Sequence, residues 1–110
     1  MKKTIGLIVI CWFIISCNND YRKFKITDYT KQRIDTLVPN NNKTYVSFVI
    51  KVKGYSNDTI KIKQVGYNDL NLIGDIDTIY RRDYYGTENV ICIFDPYKAT
   101  KGKLEIEYDL

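Results

Sequence analysis

The chain has 110 residues, of which 17 are basic, 13 acidic and none histidine. This length is enough for one small domain. The lack of histidine excludes Ser-His-Asp and Cys-His catalytic machinery and removes the commonest metal ligand. Lys2 and Lys3 account for half of the net charge of +4, so the rest of the chain is nearly balanced and offers no general electrostatic attraction for nucleic acid.

The first 20 residues have the layout of an export signal. Lys2 and Lys3 precede an apolar run over residues 5–15, which is about half as long as the roughly 20 apolar residues of a spanning helix. A secretory signal combines such a cationic start and apolar core with a small residue before the cleavage site. Ser16 supplies the small residue, and Cys17 follows it directly.

The sequence Ile-Ile-Ser-Cys at residues 14–17 resembles the lipobox of bacterial lipoproteins. The resemblance implies that a signal helix, residues 1–16, is cleaved, that the thiol of Cys17 carries a diacylglycerol, and that the new amino group is acylated with a fatty acid such as palmitate. Two or three acyl chains anchor a protein durably, whereas a single chain is marginal. An uncleaved membrane anchor and an ordinary signal peptide cut elsewhere are the alternatives.

The resemblance also implies a place in the cell envelope. Asn18 follows the cysteine in place of the aspartate that retains lipoproteins in the inner membrane, and this favours the outer membrane. Whether the domain faces the periplasm or the exterior stays open. Residues 17–23 are expected to be the lipidated cysteine and a tether that spans about 20 Å when extended. Residues 24–110 are expected to form a single domain close to the bilayer.

The three cysteines have separate fates in this interpretation. Cys11 is discarded with the signal and Cys17 is lipidated, so Cys92 is left alone and no intramolecular disulfide is expected. Cys92 lies in the apolar run Val-Ile-Cys-Ile-Phe at residues 90–94, which predicts a buried and inert thiol.

Period-two alternation of polar and apolar residues predicts strands along the rest of the chain. The clearest spans residues 44–53, with the apolar residues at even positions 46–52 on the inner face. Residues 54–58 are turn formers, so this strand and residues 59–63 are predicted to form a hairpin. The other predicted strands are residues 23–27, 33–38, 77–85, 90–94 and 103–108, with a short apolar piece at 70–73.

About seven short strands without helical periodicity predict an all-β fold. We expect a small antiparallel β-sandwich, for which an immunoglobulin-like topology is one option, and a small closed β-barrel is the alternative. The run 90–94 is apolar on both faces, as in a central strand covered on each side, and 77–85 has the mixed faces of an edge strand. In residues 103–108 the inner side chains are expected to be Leu104, Ile106 and Tyr108.

Four lysines are predicted to share the outer face of the hairpin, namely Lys51, Lys53, Lys61 and Lys63. Like charges opposite one another are unfavourable, so this lysine cluster would suit anionic lipid headgroups, an acidic partner or an anionic glycan. The alternative is an ordinary solvated face, with Glu105 and Glu107 on a neighbouring strand as neutralising partners.

Residues 80–85 form the densest aromatic and cationic stretch. The candidate contact residues in it are Tyr80, Arg81, Arg82, Tyr84 and Tyr85. Tyrosine and arginine are enriched at protein contact hot spots and stack well on sugars or peptides. An edge strand with alternating tyrosines and no binding role is the alternative.

The acidic residues lack the spacing of a metal site. Asp69, Asp75 and Asp77 do not supply the alternate ligands, central glycine and terminal glutamate of a calcium loop. Turn-forming aspartate is the simpler interpretation. No metal and no cofactor is expected, and no residue is assigned a catalytic role.

The sequence as a whole predicts a membrane-anchored, non-catalytic interaction module of the cell envelope with an unidentified protein or glycan partner. An inhibitor or immunity-type lipoprotein that blocks an envelope-acting enzyme is one alternative. An accessory subunit of an envelope or secretion assembly is another, and an enzyme is a third. The oligomeric state stays open.

Overall fold

The computed structural model describes residues 19–86 and 88–110 and is all-β, which confirms the predicted class. Its strands are β1 Tyr21–Ile26, β2 Arg33–Leu37, β3 Ser47–Gln64, β4 Leu70–Asp83, β5 Val90–Asp95 and β6 Gly102–Asp109. These six strands form one antiparallel sheet with the order β1-β6-β3-β5-β2, and β4 pairs with β3 off this path. Within these ranges no helix is long and apolar enough to cross a membrane. The expected signal helix, Cys17 and Thr87 lie outside the described residues.

β3 organises the sheet because it is long and has partners on both edges. β4 runs along one edge over most of the strand. The other edge pairs with β6 over residues 49–56 and then with β5 over residues 61–64. The register with β4 shifts between Ser56 and Ile60, as at a β-bulge, and bulges bend a strand.

The bend folds the sheet back on itself. Arg82 lies opposite Phe48 near the start of β3, yet its guanidinium donates a 2.6 Å hydrogen bond to Oε1 of Gln64, the last residue of β3. On the open side, the Val38 amide donates to the Asn19 carbonyl at 2.7 Å and brings the end of β2 to the start of β1. The sheet is therefore nearly closed into a barrel, which matches the small-barrel alternative. One sheet of six strands differs from the two separate sheets of an immunoglobulin-like domain.

The core lies between the two halves of the folded sheet. Its fully buried side chains include Tyr108, Phe48, Phe94, Leu37, Ile50, Ile60, Ile62, Leu104, Ile106, Val52 and Cys92. Burial contributes about 25 cal/mol per Å² of apolar surface, so this core is the main source of stability. The inward positions expected in residues 103–108 and at 48, 50 and 52 are confirmed. The inward position expected for Val46 is wrong, because Val46 precedes β3 and is 63% exposed.

The predicted hairpin between residues 44–53 and 59–63 is wrong. Residues 47–53 and 59–63 both belong to β3, and the real hairpin joins β3 to β4 through residues 65–69. The chain continues through the turn-forming residues because Gly54 pairs with Ile76 on one edge and Leu104 on the other. Gly54 has φ +138°, and a Cβ there would overlap the Lys103 carbonyl oxygen, so the glycine permits a close strand approach rather than a turn.

Two further boundaries differ from the sequence prediction. Residues 21–23, assigned to the tether, belong to β1, because they pair with residues 107–109 of β6. β5 lies between β3 and β2, as expected for a central strand, but Ile91 on its outer face is 36% exposed, so only one face is covered. The edge position expected for 77–85 is confirmed for β4, which pairs with β3 alone in the described part of the chain.

Candidate functional site

The four predicted lysines do not share one face of a hairpin. Lys51 and Lys53 precede the bend in β3, whereas Lys61 and Lys63 follow it and lie on the other half of the sheet. Three of them pair with carboxylates: Lys51 with Glu107 at 3.8 Å, Lys61 with Asp69 at 3.9 Å, and Lys63 with Asp95 at 3.2 Å.

Cross-strand charge pairing balances the outer face of β3, β6 and β1. Lys51 lies opposite Glu107 and Lys53 opposite Glu105, and the same two glutamates face Lys23 and Lys25 of β1. Opposite charges in such positions stabilise a sheet modestly. This arrangement is the neutralised face that the sequence offered as the alternative to a binding patch.

A further cationic feature is a shallow depression of about 330 Å³ beside Gly54. Lys25, Lys53 and Lys103 line it together with Glu105. Among the described residues Lys53 has no carboxylate within ion-pair distance, but Glu105 lies directly opposite it in β6. A single carboxylate within three lysines leaves a modest excess of positive charge and no enclosed anion site.

The aromatic and cationic stretch at residues 80–85 is divided between two faces of the sheet. Tyr80, Arg82 and Tyr84 turn towards the core and are half-buried, whereas Arg81 and Tyr85 are exposed. The structure therefore does not assemble these residues into one contact surface.

Arg82 and Tyr84 are held by contacts inside the domain. The Arg82 guanidinium donates to Gln64 and, at 3.0 Å, to the Asn68 carbonyl, and it lies 5.0 Å from the Tyr67 ring centroid. The Tyr84 hydroxyl donates to the Glu88 carbonyl. These contacts fix the turn after β3 and the segment after β4, which is a structural role.

Cys92 is buried, as predicted, and burial raises the pKa of its thiol to about 12. A thiol with this pKa is protonated at neutral pH and is a poor nucleophile. Asp75 and Asp77 are exposed on the outer face of β4 and lie opposite Tyr55 and Lys53. The described residues contain no cluster of histidine, cysteine, aspartate and glutamate that could hold a metal ion.

Polar side chains lie between β1 and β2, near the open side of the sheet. Arg33 donates to both carboxylate oxygens of buried Asp35, at 2.8 and 3.2 Å, and its guanidinium lies 3.8 Å from the Phe24 ring centroid. The Tyr108 hydroxyl is buried without a hydrogen-bond partner in the described part of the chain, and burial raises its pKa. Asp35 and Tyr108 are buried, whereas Arg33 is exposed and lines a shallow depression together with residues 25–28, 31 and 32.

Asp20 is a structural position that the sequence analysis places in the tether and that the structure places in the domain. Its Oδ2 accepts hydrogen bonds from Lys43 Nζ at 3.1 Å and from the Tyr45 hydroxyl at 2.9 Å. Burial alone would raise the pKa of this carboxyl, but the two hydrogen bonds outweigh it and hold the pKa below its ordinary value. The Asp20 carbonyl also accepts from the Leu110 amide at 3.1 Å, so the chain is fixed to the domain at its entry.

Three connections surround this entry and define the N-terminal end of the barrel: residues 38–46, residues 65–69, and the described part of 84–89. Asn19 binds Val38, as described above. The Tyr84 amide donates to the Val46 carbonyl at 3.2 Å, which joins the first connection to the third. Arg82 lies two residues before Tyr84, at the end of β4, and its guanidinium donates to the Asn68 carbonyl in the turn at 65–69.

Exposed apolar side chains concentrate at this N-terminal end. They are Val38, Val46, Val65, Tyr67 and Tyr85, and Tyr85 is 73% exposed. The far end, formed by residues 27–32, the bend at 54–59 with the facing residues 73–75 of β4, and residues 96–101, exposes three large apolar side chains in the described chain, Tyr55, Ile73 and Tyr97. Single valines in loops carry no sequence pattern, so only the fold reveals this grouping.

A second apolar surface lies on the outside of β2 and β5. Ile34 of β2 lies opposite Ile93 of β5, and Ile91 follows on the same face. The Val65 amide donates to the Ile91 carbonyl at 3.1 Å and extends the row beyond the end of β3. We name Ile34, Ile91, Ile93 and Val65 the aliphatic face. The signal in the sequence was the run 90–94, apolar on both faces, but it was interpreted as a covered strand.

Comparisons with known proteins find no matching protein-family model and no matching curated protein. Among solved structures, a de novo designed double-stranded β-helix matches with a TM-score of 0.47 and 8% identity over 81% of this chain and 97% of that chain. The coat protein dimer of Tobacco streak virus matches with a TM-score of 0.40 and 9% identity over 86% of this chain and 88% of that chain. Both TM-scores lie below 0.5, so these likenesses bear on neither the topology nor the function of this chain.

Proposed function

We propose that the protein is a lipid-anchored lipoprotein of the bacterial cell envelope whose β domain acts as a non-catalytic interaction module. The lipobox-like sequence at residues 14–17 carries this proposal. Its placement in the outer membrane rests on Asn18 alone. The lipid anchor is also supported by the burial of Asp20, three positions after Cys17, because the folded domain begins almost directly behind the expected lipid.

The chemistry of the domain supports binding rather than catalysis. The chain has no histidine, and its Cys92 thiol is buried with a pKa raised to about 12. Most of the lysines on the sheet have paired carboxylates. The exposure of the aliphatic face has no such compensation, since Ile34 is 64% exposed and Val65 63%. Exposed apolar patches on a small domain favour a contact with another protein.

Lipidation is tested by fractionating cells that express the full chain with Cys17→Ser, with Cys11→Ser as the matched control. The parent protein and C11S should be recovered with membranes at the mass of a chain that starts at Cys17 and carries acyl groups. C17S should lose that mass. A C17S protein of unchanged mature mass in the membrane fraction would show that the proposal is wrong.

The binding role is tested in the same cells with a photo-crosslinking residue placed at Ile34 or, as the control, at exposed Lys101 on the far end. The proposal predicts a discrete protein adduct at position 34 that is missing at position 101. The identity of the adduct separates an envelope subunit from an inhibited enzyme. Equal patterns at the two positions would remove the aliphatic face as the binding surface.

A further inference from the structure

We infer that the N-terminal end of the barrel rests against the bilayer and places Val38, Val46, Val65, Tyr67 and Tyr85 in the lipid interface. The inference rests on the proposed lipid anchor at Cys17 and adds an orientation to it. The occupant of this apolar end is thus the membrane surface itself. Val65 lies where this end meets the aliphatic face, and the other residues of that face, Ile34, Ile91 and Ile93, stay free for a protein partner.

The reach of the chain limits where the membrane can be. Cys17 is two positions before Asn19, and two residues span at most about 7 Å when extended. The Asn19 carbonyl is held at 2.7 Å by the amide of Val38, which itself is 41% exposed. A lipid on Cys17 must therefore enter the bilayer within a few ångströms of the N-terminal end.

The entry of the chain is fixed, so the anchor orients the domain instead of only holding it. Lys43 and Tyr45 both donate to the Asp20 carboxylate, and the Leu110 amide donates to its carbonyl. These bonds join the chain to the connection at 38–46 and to the strand β6. Rotation of the domain about the anchor would have to occur at residues 17–19 alone.

The side chains at this end suit a lipid interface. Valines supply apolar surface, and tyrosines place an aromatic ring in the interface with the hydroxyl directed towards water. Val46 and Tyr85 are the most favourable, since they are 63% and 73% exposed on neighbouring connections.

Charge does not explain the contact. Lys43 at this end is engaged with Asp20, and Arg82 is bonded to Gln64 and Asn68. Asp83 and Glu88 are exposed acidic residues nearby. The contact should therefore form on a neutral phosphatidylcholine bilayer and change little with salt, because surface charge attraction is what salt screens.

The experiment uses the full chain, processed and lipidated in bacteria, purified and reconstituted into phosphatidylcholine vesicles that contain a nitroxide-labelled lipid as quencher. Single cysteines replace Val46, Tyr85 or, as the far-end control, Tyr97, and a fluorophore is attached to each. Cys92 does not interfere, because its thiol is fully buried. We expect severalfold stronger quenching at positions 46 and 85 than at position 97, with little effect of salt.

The outcomes separate this inference from the proposed function. Vesicles that float with the protein but quench positions 46 and 97 equally would overturn the orientation and leave the anchor intact. Protein that does not float with vesicles would overturn both. Fluorophore self-quenching at position 46 that grows with protein density, without quenching by lipid, would assign this end to a second copy of the chain and also overturn the inference.

Discussion

The two ends of the barrel satisfy their polar groups in different ways. At the far end, side chains bond to nearby backbone or across the bend: Asp28 accepts from the Thr30 amide, Asp95 from the Tyr97 amide, and the Asn57 side chain from the amide of Thr100. Such local bonds complete the loops without a partner. At the N-terminal end one carboxylate, Asp20, gathers two side chains from a single connection, and the apolar side chains around it stay exposed.

The ends also differ in how tightly the backbone is packed. The far end contains the bend of β3, where Gly54 and Gly102 bring strands so close that an added Cβ would overlap backbone carbonyl oxygens. The turn of the N-terminal end contains Gly66, which has open space around it. The backbone is therefore packed more closely at the far end than around Gly66, whereas exposed apolar side chains are more numerous at the N-terminal end.

The largest expected loss of stability comes from a substitution at the far end. Gly54→Ala should destabilise the domain by about 3–5 kcal/mol, since it combines an unfavourable backbone conformation at φ +138° with a clash against the Lys103 carbonyl. This is a large part of the stability of a small domain. Urea unfolding followed by circular dichroism measures it.

The matched control is Gly66→Ala at the N-terminal end. Its φ is +90°, but no atom lies within 4 Å of the added Cβ, so only the conformational cost of about 1–2 kcal/mol applies. Equal losses for the two variants would show that close strand approach does not distinguish the ends.

The stretch that begins at Gly54 shows what the sequence could and could not predict about the fold. Alternation placed Phe48, Ile50 and Val52 inside correctly, because the period of side chains along a strand is a local property. Residues 54–58 have the composition of a turn, and local chemistry does not distinguish a turn from a bend in a strand that both β4 and β6 hold in place. Such pairing joins Gly54 to Ile76 and Leu104, which are distant in the sequence, and is invisible to a local pattern.

The grouping of the candidate surface residues differs from the sequence prediction for a related reason. The strand alternation that places Lys51 and Lys53 outside is visible in sequence, but the position of Glu107 and Glu105 opposite them requires the register of β6 on β3. The run 90–94 is apolar on both faces, and sequence does not reveal whether another layer covers the second face. The proposed lipobox at residues 14–17 is different in kind, because its recognition depends on a contiguous sequence and not on the fold.

The second largest loss of stability should come from a substitution at the N-terminal end. Asp20→Ala leaves Lys43 and Tyr45 without their acceptor and should cost about 1–3 kcal/mol at neutral pH. Asp28→Ala at the far end should cost less, because Asp28 is exposed and bonds only to Thr30 two residues away. Urea unfolding of both variants over a range of pH measures the difference.

The pH dependence gives this prediction a sign. The pKa of Asp20 is lower in the folded protein, because the hydrogen bonds from Lys43 and Tyr45 outweigh the opposing effect of burial. Its contribution is therefore complete above the unfolded pKa and is lost as pH falls through the folded pKa. The difference between the parent and Asp20→Ala should shrink below about pH 4. A difference that persists unchanged at lower pH would show that the carboxylate charge is not what holds the entry.

The smallest effects should come from the lysines on the wall between the ends. Lys63→Gln should cost up to about 1 kcal/mol at neutral pH, because Lys63 contacts the largely buried Asp95 carboxylate at 3.2 Å. Lys53→Gln should cost close to nothing, since Lys53 has no ion pair among the described residues. Circular dichroism and urea unfolding of the two single variants compare them.

The pKa of Asp95 determines the pH range in which Lys63→Gln and Lys53→Gln differ in stability. Burial alone would raise the pKa of Asp95, but the bonds from the Tyr97 amide and Lys63 outweigh it and lower that pKa. The loss in Lys63→Gln should therefore fade as Asp95 is protonated at low pH, while Lys53→Gln stays neutral throughout. If changing all four lysines, Lys51, Lys53, Lys61 and Lys63, to glutamine leaves both folding and the adduct at position 34 intact, the charged wall is a solvated surface and binding belongs to the aliphatic face. A loss of the adduct in a folded variant would instead show that the partner binds through the lysines.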